Sequence, residues 1–165
     1  MQKTPETFDV LLVGGGVMGL SLAWELAQQG TLVCVIDSGE MGREASWAAA
    51  GMLPPGPSRG HWPNCTAYEQ LQGLSHELQP AWHQKLADLT HIDNGFRPTG
   101  ALYVDDGRAM TMAALEKNQR EWDRWGLEYH QLDAAAIADV EPAISPQSQA
   151  ILLPGESQLR PPRHL

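Results

Sequence analysis

Gly14, Gly16 and Gly19, followed eighteen positions later by the carboxylate of Asp37, are the residues of this 165-residue chain whose types and spacing could do chemistry. They spell G-x-G-x-x-G, with Gly15 filling the first gap, and each place has a physical reason to lack a side chain. The first glycine permits a tight turn out of a strand, the second lets a diphosphate approach the backbone, and the third lets a helix pack closely on a sheet. A helix beginning there offers unpaired N–H groups and a partial positive charge, which suits an anion. Asp37 is placed to accept hydrogen bonds from ribose hydroxyls, and an acid there repels the extra phosphate of NADP. A solvated turn residue ahead of Ser38 and Gly39 is the plainer reading of the same aspartate. The spacing points to an adenine dinucleotide, NAD or FAD, without separating the two.

These residues need a strand before them, a helix after them and a second strand ending at the acid. "FDVLLV", residues 8–13, is aliphatic without alternation, as expected of a short parallel strand buried on both faces. From Val17 to Gln29 the polar Ser21, Glu25 and Gln28 fall at i, i+4 and i+7, one stripe of a helix whose other surface is apolar and expected to be covered. Gly30 closes it. "TLVCVID", residues 31–37, reads as a second buried strand, completing a right-handed βαβ unit.

Further along, residues 38–60 read as an ordered loop or short helix leading into a Pro- and Gly-rich turn. Leu71, Leu74, Leu78, Trp82 and Leu89 recur at helical spacing, with Pro80 expected to kink that helix or start another. "GFRPTGALYVDD" reads as two short strands about a Pro-Thr-Gly turn, and Met112, Leu115, Trp122 and Trp125 as a helix ending at Gly126. "LEYHQLD" reads as a strand, "AAAIADVEP" as a short helix stopped by Pro142, and "AILLPGESQLR" as a final pair of strands.

Composition narrows the classes. A net charge of -9 with only eleven Lys and Arg argues against nucleic acid or an anionic membrane surface as partner. Cys34 and Cys65 form no CxxC and no disulfide framework, so a reducing cytoplasm is expected. The uncharged run from Val10 to Trp24 is too short for a membrane span, and Glu6 and Asp9 before it do not fit a signal peptide. His61, His76, His83, His91, His130 and His164 show no metal-binding spacing. No catalytic residue and no metal ligand is assigned. Arg160 and Arg163, beside Pro161 and Pro162, read as surface charges rather than carboxylate clamps.

Flavin and nicotinamide part company at "REASWAAAGML", residues 43–53. Ser46 offers a hydroxyl, and Ala48, Ala49, Ala50, Gly51 and Met52 form a strip of backbone with little bulk, suited to a flat ring system. An alanine-rich helical turn packed in a core is the equal alternative.

The segments "DVLLVGGGVMGLSLAWELAQQG", "VIDSG" and above all "EASWAAAGMLPP" resemble the FAD-dependent D-amino-acid oxidase superfamily, and within it the glycine oxidases associated with thiamine biosynthesis. "PTGALYV", "VEPAIS" and "GESQLRPPRHL" extend the resemblance over nearly all of the chain. It implies an α/β fold: the N-terminal part of a Rossmann-like FAD-binding fold, a parallel sheet with helices, over residues 1–60, and a helical segment with partial strands of a second, α+β substrate domain over 61–165. The C-terminal half of the family fold is expected to be absent.

Carried over by position, the resemblance places Gly14, Gly16, Val17, Met18 and Gly19 around the pyrophosphate, and Asp37 and Ser38 near the adenosine ribose. It places Ala45, Ser46, Ala49, Ala50, Gly51 and Met52 along the flavin and its phosphate arm. Two departures stand out: the family usually has Glu where this chain has Asp37, and Trp47 fills a place often held by a smaller residue.

The activity implied is oxidation of the C–N bond of glycine or a related small amino acid to an imine, with FAD taking the hydride and oxygen as acceptor. The groups that hold the substrate lie in the family's second half, so this chain is expected to be inactive alone. Its single βαβ unit is expected to expose sheet edges and an apolar face, a surface prone to association such as homo-oligomer formation. The competing readings are a non-catalytic dinucleotide-binding module and a flavin dehydrogenase of the sarcosine or glycerol-phosphate type.

Overall fold

The computed structural model describes residues 7–105, 110–144 and 149–160. Two compact units divide the chain, one reaching to Ala50 and the other spanning Gly51–Arg160.

The first unit is a βαβ arrangement. β1 (Val10–Val13) pairs in parallel with β2 (Val33–Ile36), with Val10 opposite Val33 and Val13 opposite Ile36. α1 (Val17–Gln28) connects them, and Gly30, at φ 83°, turns the chain back in the left-handed region that glycine adopts freely. The helix and both strands therefore lie where the apolar pattern puts them.

Their burial is a correction. β1 alternates between half-buried and exposed residues, Val13 is 81% exposed, and α1 contains no buried residue. Sequence pattern reports which faces are built to be covered. A sheet of two strands packed on one helix leaves one face and both edges open. Leu11, Val13, Val17, Met18, Leu20, Leu22, Leu32 and Ile36 consequently form an exposed apolar surface.

After β2 comes a four-residue helix, α2 (Ala45–Ala48). The second unit begins beyond it with β3 (Met52–Leu53), which pairs antiparallel with β7 (Ser157–Gln158). A 3-10 turn over Arg59–Asn64 then leads into α3 (Ala67–Thr90). α3 runs through Pro80 as one helix of 24 residues, so no second helix starts there. Proline removes a single N–H bond to the carbonyl of residue 76, a local loss that the rest of a long helix can outweigh.

β4 (Ala101–Val104), β5 (His130–Leu132) and β6 (Ala150–Leu153) form an antiparallel sheet in the order β4-β6-β5. The expected strand before the Pro-Thr-Gly turn is reduced to one bridge between Arg97 and Gln158, because β4 finds its partner in β6 instead. β6 and β7 likewise go to separate sheets. α4 (Met112–Trp125) ends at Gly126 at φ 66°, and α5 (Ala134–Val140) stops before Pro142. The core of this unit is Leu115 and Trp122 of α4 against Ile151 and Leu153 of β6, with Tyr103 edge-on to Trp122 at 5.1 Å.

Glu69 ties α3 to α4. Its Oε2 accepts the Thr66 amide at 2.7 Å and the Thr66 hydroxyl at 2.9 Å, completing a capping box, while Oε1 receives Arg124 and the Trp125 indole N–H. The Arg124 guanidinium first, then the Thr66 amide and hydroxyl, hold this carboxyl down at about 2 from an ordinary 4.5. A lowered folded-state value adds stability above the unfolded value, and that stability is lost as pH falls through the folded one. Urea midpoints measured from pH 5 to pH 2 are therefore expected to fall, with a shallower slope in Glu69→Gln.

Candidate dinucleotide cradle

β1 delivers the chain to Gly14, whose amide donates to the Ile36 carbonyl at 2.8 Å and whose φ of 109° makes the turn. Only glycine adopts that backbone freely. Gly16 then caps α1 without a side-chain partner, and Leu20 N–H to the Gly16 carbonyl closes the first helical turn. The amides of Val17, Met18 and Gly19 thus have no acceptor within the helix. Val17 N–H donates to Ser46 Oγ at 2.9 Å, so the hydroxyl stands at the positive end of the helix.

The close approaches are measurable. A Cβ at Gly16 would lie 3.1 Å from Ser46 Oγ, and one at Gly19 would lie 1.9 Å from the Gly14 carbonyl oxygen. The second glycine leaves room for Ser46 at the start of α1, and the third lets α1 pack directly on the Gly14 peptide. Gly15 is buried beneath Met41, and its carbonyl accepts the Gly42 amide at 2.8 Å.

Asp37 follows β2 directly. Oδ2 accepts the Gly15 amide at 2.7 Å and Oδ1 the Gly39 amide at 2.9 Å. These amides, Gly15 first, hold the carboxyl below the ordinary aspartate value. Ser38 is exposed beside it.

Gly14, Gly16, Val17, Gly19, Asp37 and Ser46 are therefore gathered at one end of the βαβ unit. The Met18 side chain is 81% exposed. Ala45 opens α2, whose residues are none of them buried, and Ala49 and Ala50 are exposed beyond it. Ser46 and Trp47 of this helical turn are half-buried. Trp47 is half-buried under the Arg43 guanidinium, 4.0 Å above its ring. Gly51 and Met52 fall in the second unit, where Gly51 is buried and its carbonyl accepts the Leu159 amide at 2.8 Å, while Met52 is exposed at the start of β3.

Sequence reasoning missed the second layer of this loop, Gly39, Met41 and Gly42. The φ of 75° at Gly42 has a visible correlate, the glycine of "EMGRE", but nothing local shows that its amide reaches Gly15.

The other singled-out groups serve the fold. Arg160 lies 3.9 Å from Asp93 on the surface, while Arg163 and His164 lie outside the described residues. His83 stacks on Phe96 at 4.6 Å, and burial pushes its pKa down. Among the described residues no cluster of three His, Cys, Asp or Glu could hold a metal, and no helix is long and apolar enough to cross a membrane.

The cradle fits a diphosphate on its own geometry: backbone amides and one hydroxyl converge where added side chains would collide. Glycine oxidase of Pseudomonas putida is 33% identical over 157 residues, covering 94% of this chain and 40% of that enzyme. The bifunctional protein ThiO/ThiG of Trichormus variabilis is 36% identical over 123 residues, 74% of this chain and 18% of that protein. The crystal structure of glycine oxidase from Geobacillus kaustophilus superposes with a TM-score of 0.76 at 30% identity, over 94% of this chain and 41% of that one. The chain thus spans about 40% of the length of its glycine oxidase relatives. Residues 9–165 match the family described as FAD dependent oxidoreductase, and the chain belongs to it.

Proposed function

We propose that this chain supplies the dinucleotide-binding portion of an FAD-dependent amino-acid oxidase of the glycine oxidase type. The observation that carries the reading is the Gly14 turn, which sets the start of α1 between Ser46 and Asp37. In this reading the amides of Val17, Met18 and Gly19 and the Ser46 hydroxyl hold the pyrophosphate, and Asp37 and Ser38 meet the adenosine ribose. Ala45, Ala49, Ala50, Gly51 and Met52 run along the flavin. Bound FAD supplies hydride acceptance from the α-carbon of a small amino acid and passes the electrons to oxygen. A cytoplasmic location belongs to this reading, as the sequence expectation from Cys34 and Cys65 has it.

The chain spans about 40% of its glycine oxidase relatives, and among its described residues the cradle is the assembled site. It is therefore expected to bind FAD and ADP weakly and to oxidise nothing by itself. Calorimetric titration with FAD and ADP, beside a peroxide assay with glycine and sarcosine, tests both halves. Peroxide released by the purified chain would refute its inactivity. Binding of AMP or NAD with no affinity for FAD would favour a non-catalytic nucleotide-binding module.

A further inference from the structure

The carboxylate of Asp37 is already engaged on both oxygens by backbone amides, one of them 22 residues earlier in the chain. Gly15, the earlier partner, is held on every side. Its N–H donates to Asp37, its carbonyl accepts from Gly42, and the Met41 side chain lies 2.7 Å from where a Cβ would stand. On one side of Gly15 the chain turns at Gly14; on the other Gly16 caps α1. The orientation of the peptides entering the helix therefore depends on the segment that carries Asp37, Gly39, Met41 and Gly42.

We propose that Asp37 is a positioning residue for the diphosphate cradle: by fixing the Gly15 amide it aims the amides at the start of α1, separately from any bond to a ribose. This rests on the dinucleotide reading of the loop. Each carboxylate oxygen has a second acceptor site, so a ribose hydroxyl can bind without releasing Gly15. The two roles depend differently on the ligand. A ribose acceptor matters only to ligands that carry ribose, whereas a positioning residue matters equally to inorganic pyrophosphate, which carries none. Charge acts in the opposite sense, because a carboxylate near a polyanion repels it. Loss of a carboxylate with no positioning role would tighten pyrophosphate binding.

The other acids of residues 7–50 have their own places: Asp9 accepts the Leu32 amide, Glu40 pairs with Arg43, and Glu25 and Glu44 lie on α1 and at the cap of α2. No histidine occurs in this stretch.

The test compares inorganic pyrophosphate and ADP by calorimetry on the full chain, unsubstituted and as Asp37→Ala and Asp37→Asn. Asp37→Ala is expected to weaken pyrophosphate about tenfold, for a loss near 1.4 kcal/mol, and to weaken ADP, which also loses its ribose acceptor, by at least that factor. Asp37→Asn, which keeps one acceptor oxygen, falls between. Weakening of ADP alone, or tighter pyrophosphate, overturns the positioning role. Failure of the unsubstituted chain to bind either ligand overturns the dinucleotide reading and the role that rests on it.

A second measurement needs no variant. In the 15N-labelled chain the Gly15 and Gly39 amide shifts are expected to titrate together, at a midpoint below 3.8, the ordinary aspartate value. A Gly15 amide that does not follow the carboxylate overturns the proposal even if both variants fail to fold.

Discussion

Replacing Gly19 by valine is expected to abolish measurable ADP binding while leaving the near-ultraviolet circular dichroism of the Tyr103, Trp122 and Tyr129 cluster unchanged. The first Cβ alone would sit 1.9 Å from the Gly14 carbonyl oxygen and 3.1 Å from its carbon. Both are backbone atoms, so no rotamer change relieves the overlap. Gly14 has no easy retreat, because its amide bonds the Ile36 carbonyl at 2.8 Å and its φ of 109° already commits the turn. α1 must therefore slide away from β1, which carries the Val17 amide off Ser46 and opens the cradle. An overpacking cost of about 3 kcal/mol corresponds to roughly a hundredfold loss of affinity. Calorimetric titration with ADP measures it, and the aromatic cluster, which lies in the other unit, reports whether the damage stayed local. Retained binding would mean that close contact at Gly19 does not shape the site.

The legibility of this collision in the sequence shows where pattern reading succeeds. Gly14, Gly16 and Gly19 act within six residues of one another, and strand, turn and helix each leave a local mark in apolar period and glycine placement. α4 was equally legible, since Met112, Leu115, Trp122 and Trp125 define one face and Gly126 ends it. Pairings between distant segments left no such mark. β4 meets β6 across about fifty residues, so nothing in "GFRPTGALYV" shows that, among the described residues, its first half makes a single bridge, from Arg97 to Gln158.

Burial in the first unit was legible only in part: the apolar pattern suggested buried strands and a covered helix, while the single βαβ unit implied the exposed edges and apolar face that are found. The apolar pattern of β1 and α1 records the surroundings for which those residues are suited. Val13 is apolar and yet 81% exposed, because two strands and one helix cannot cover both faces of a sheet. The bond from Gly15 to Asp37 escaped for both reasons at once. Spacing suggested that the carboxylate faces a ligand, and only the fold shows that it also faces its own loop.

Gly73 offers the clearest test of the same geometry in the second unit. A glycine inside a helix costs about 1 kcal/mol relative to alanine, so propensity alone predicts that Gly73→Ala stabilises α3. The packing predicts the reverse. Gly73 is buried, and a Cβ there would lie 2.2 Å from the Pro57 carbonyl oxygen and 2.9 Å from the Trp62 indole nitrogen. On the opposing segment, a Cβ at Gly56 would lie 2.4 Å from the Gly73 amide nitrogen, so two bare backbones cross here and neither can yield by rotating a side chain. The Trp62 N–H donates to that same Pro57 carbonyl at 3.0 Å, and separating the segments would strain this bond too. Overpacking of about 3 kcal/mol exceeds the propensity gain of about 1 kcal/mol, which leaves Gly73→Ala destabilised by about 2 kcal/mol in urea melts. Gly60 is the control: nothing lies within 4 Å of its would-be Cβ, and its φ is not positive. Gly60→Ala is expected to be neutral or to stabilise by about 0.4–1 kcal/mol through the unfolded chain. Equal behaviour of the two variants would show that Pro57 and α3 are not in backbone contact.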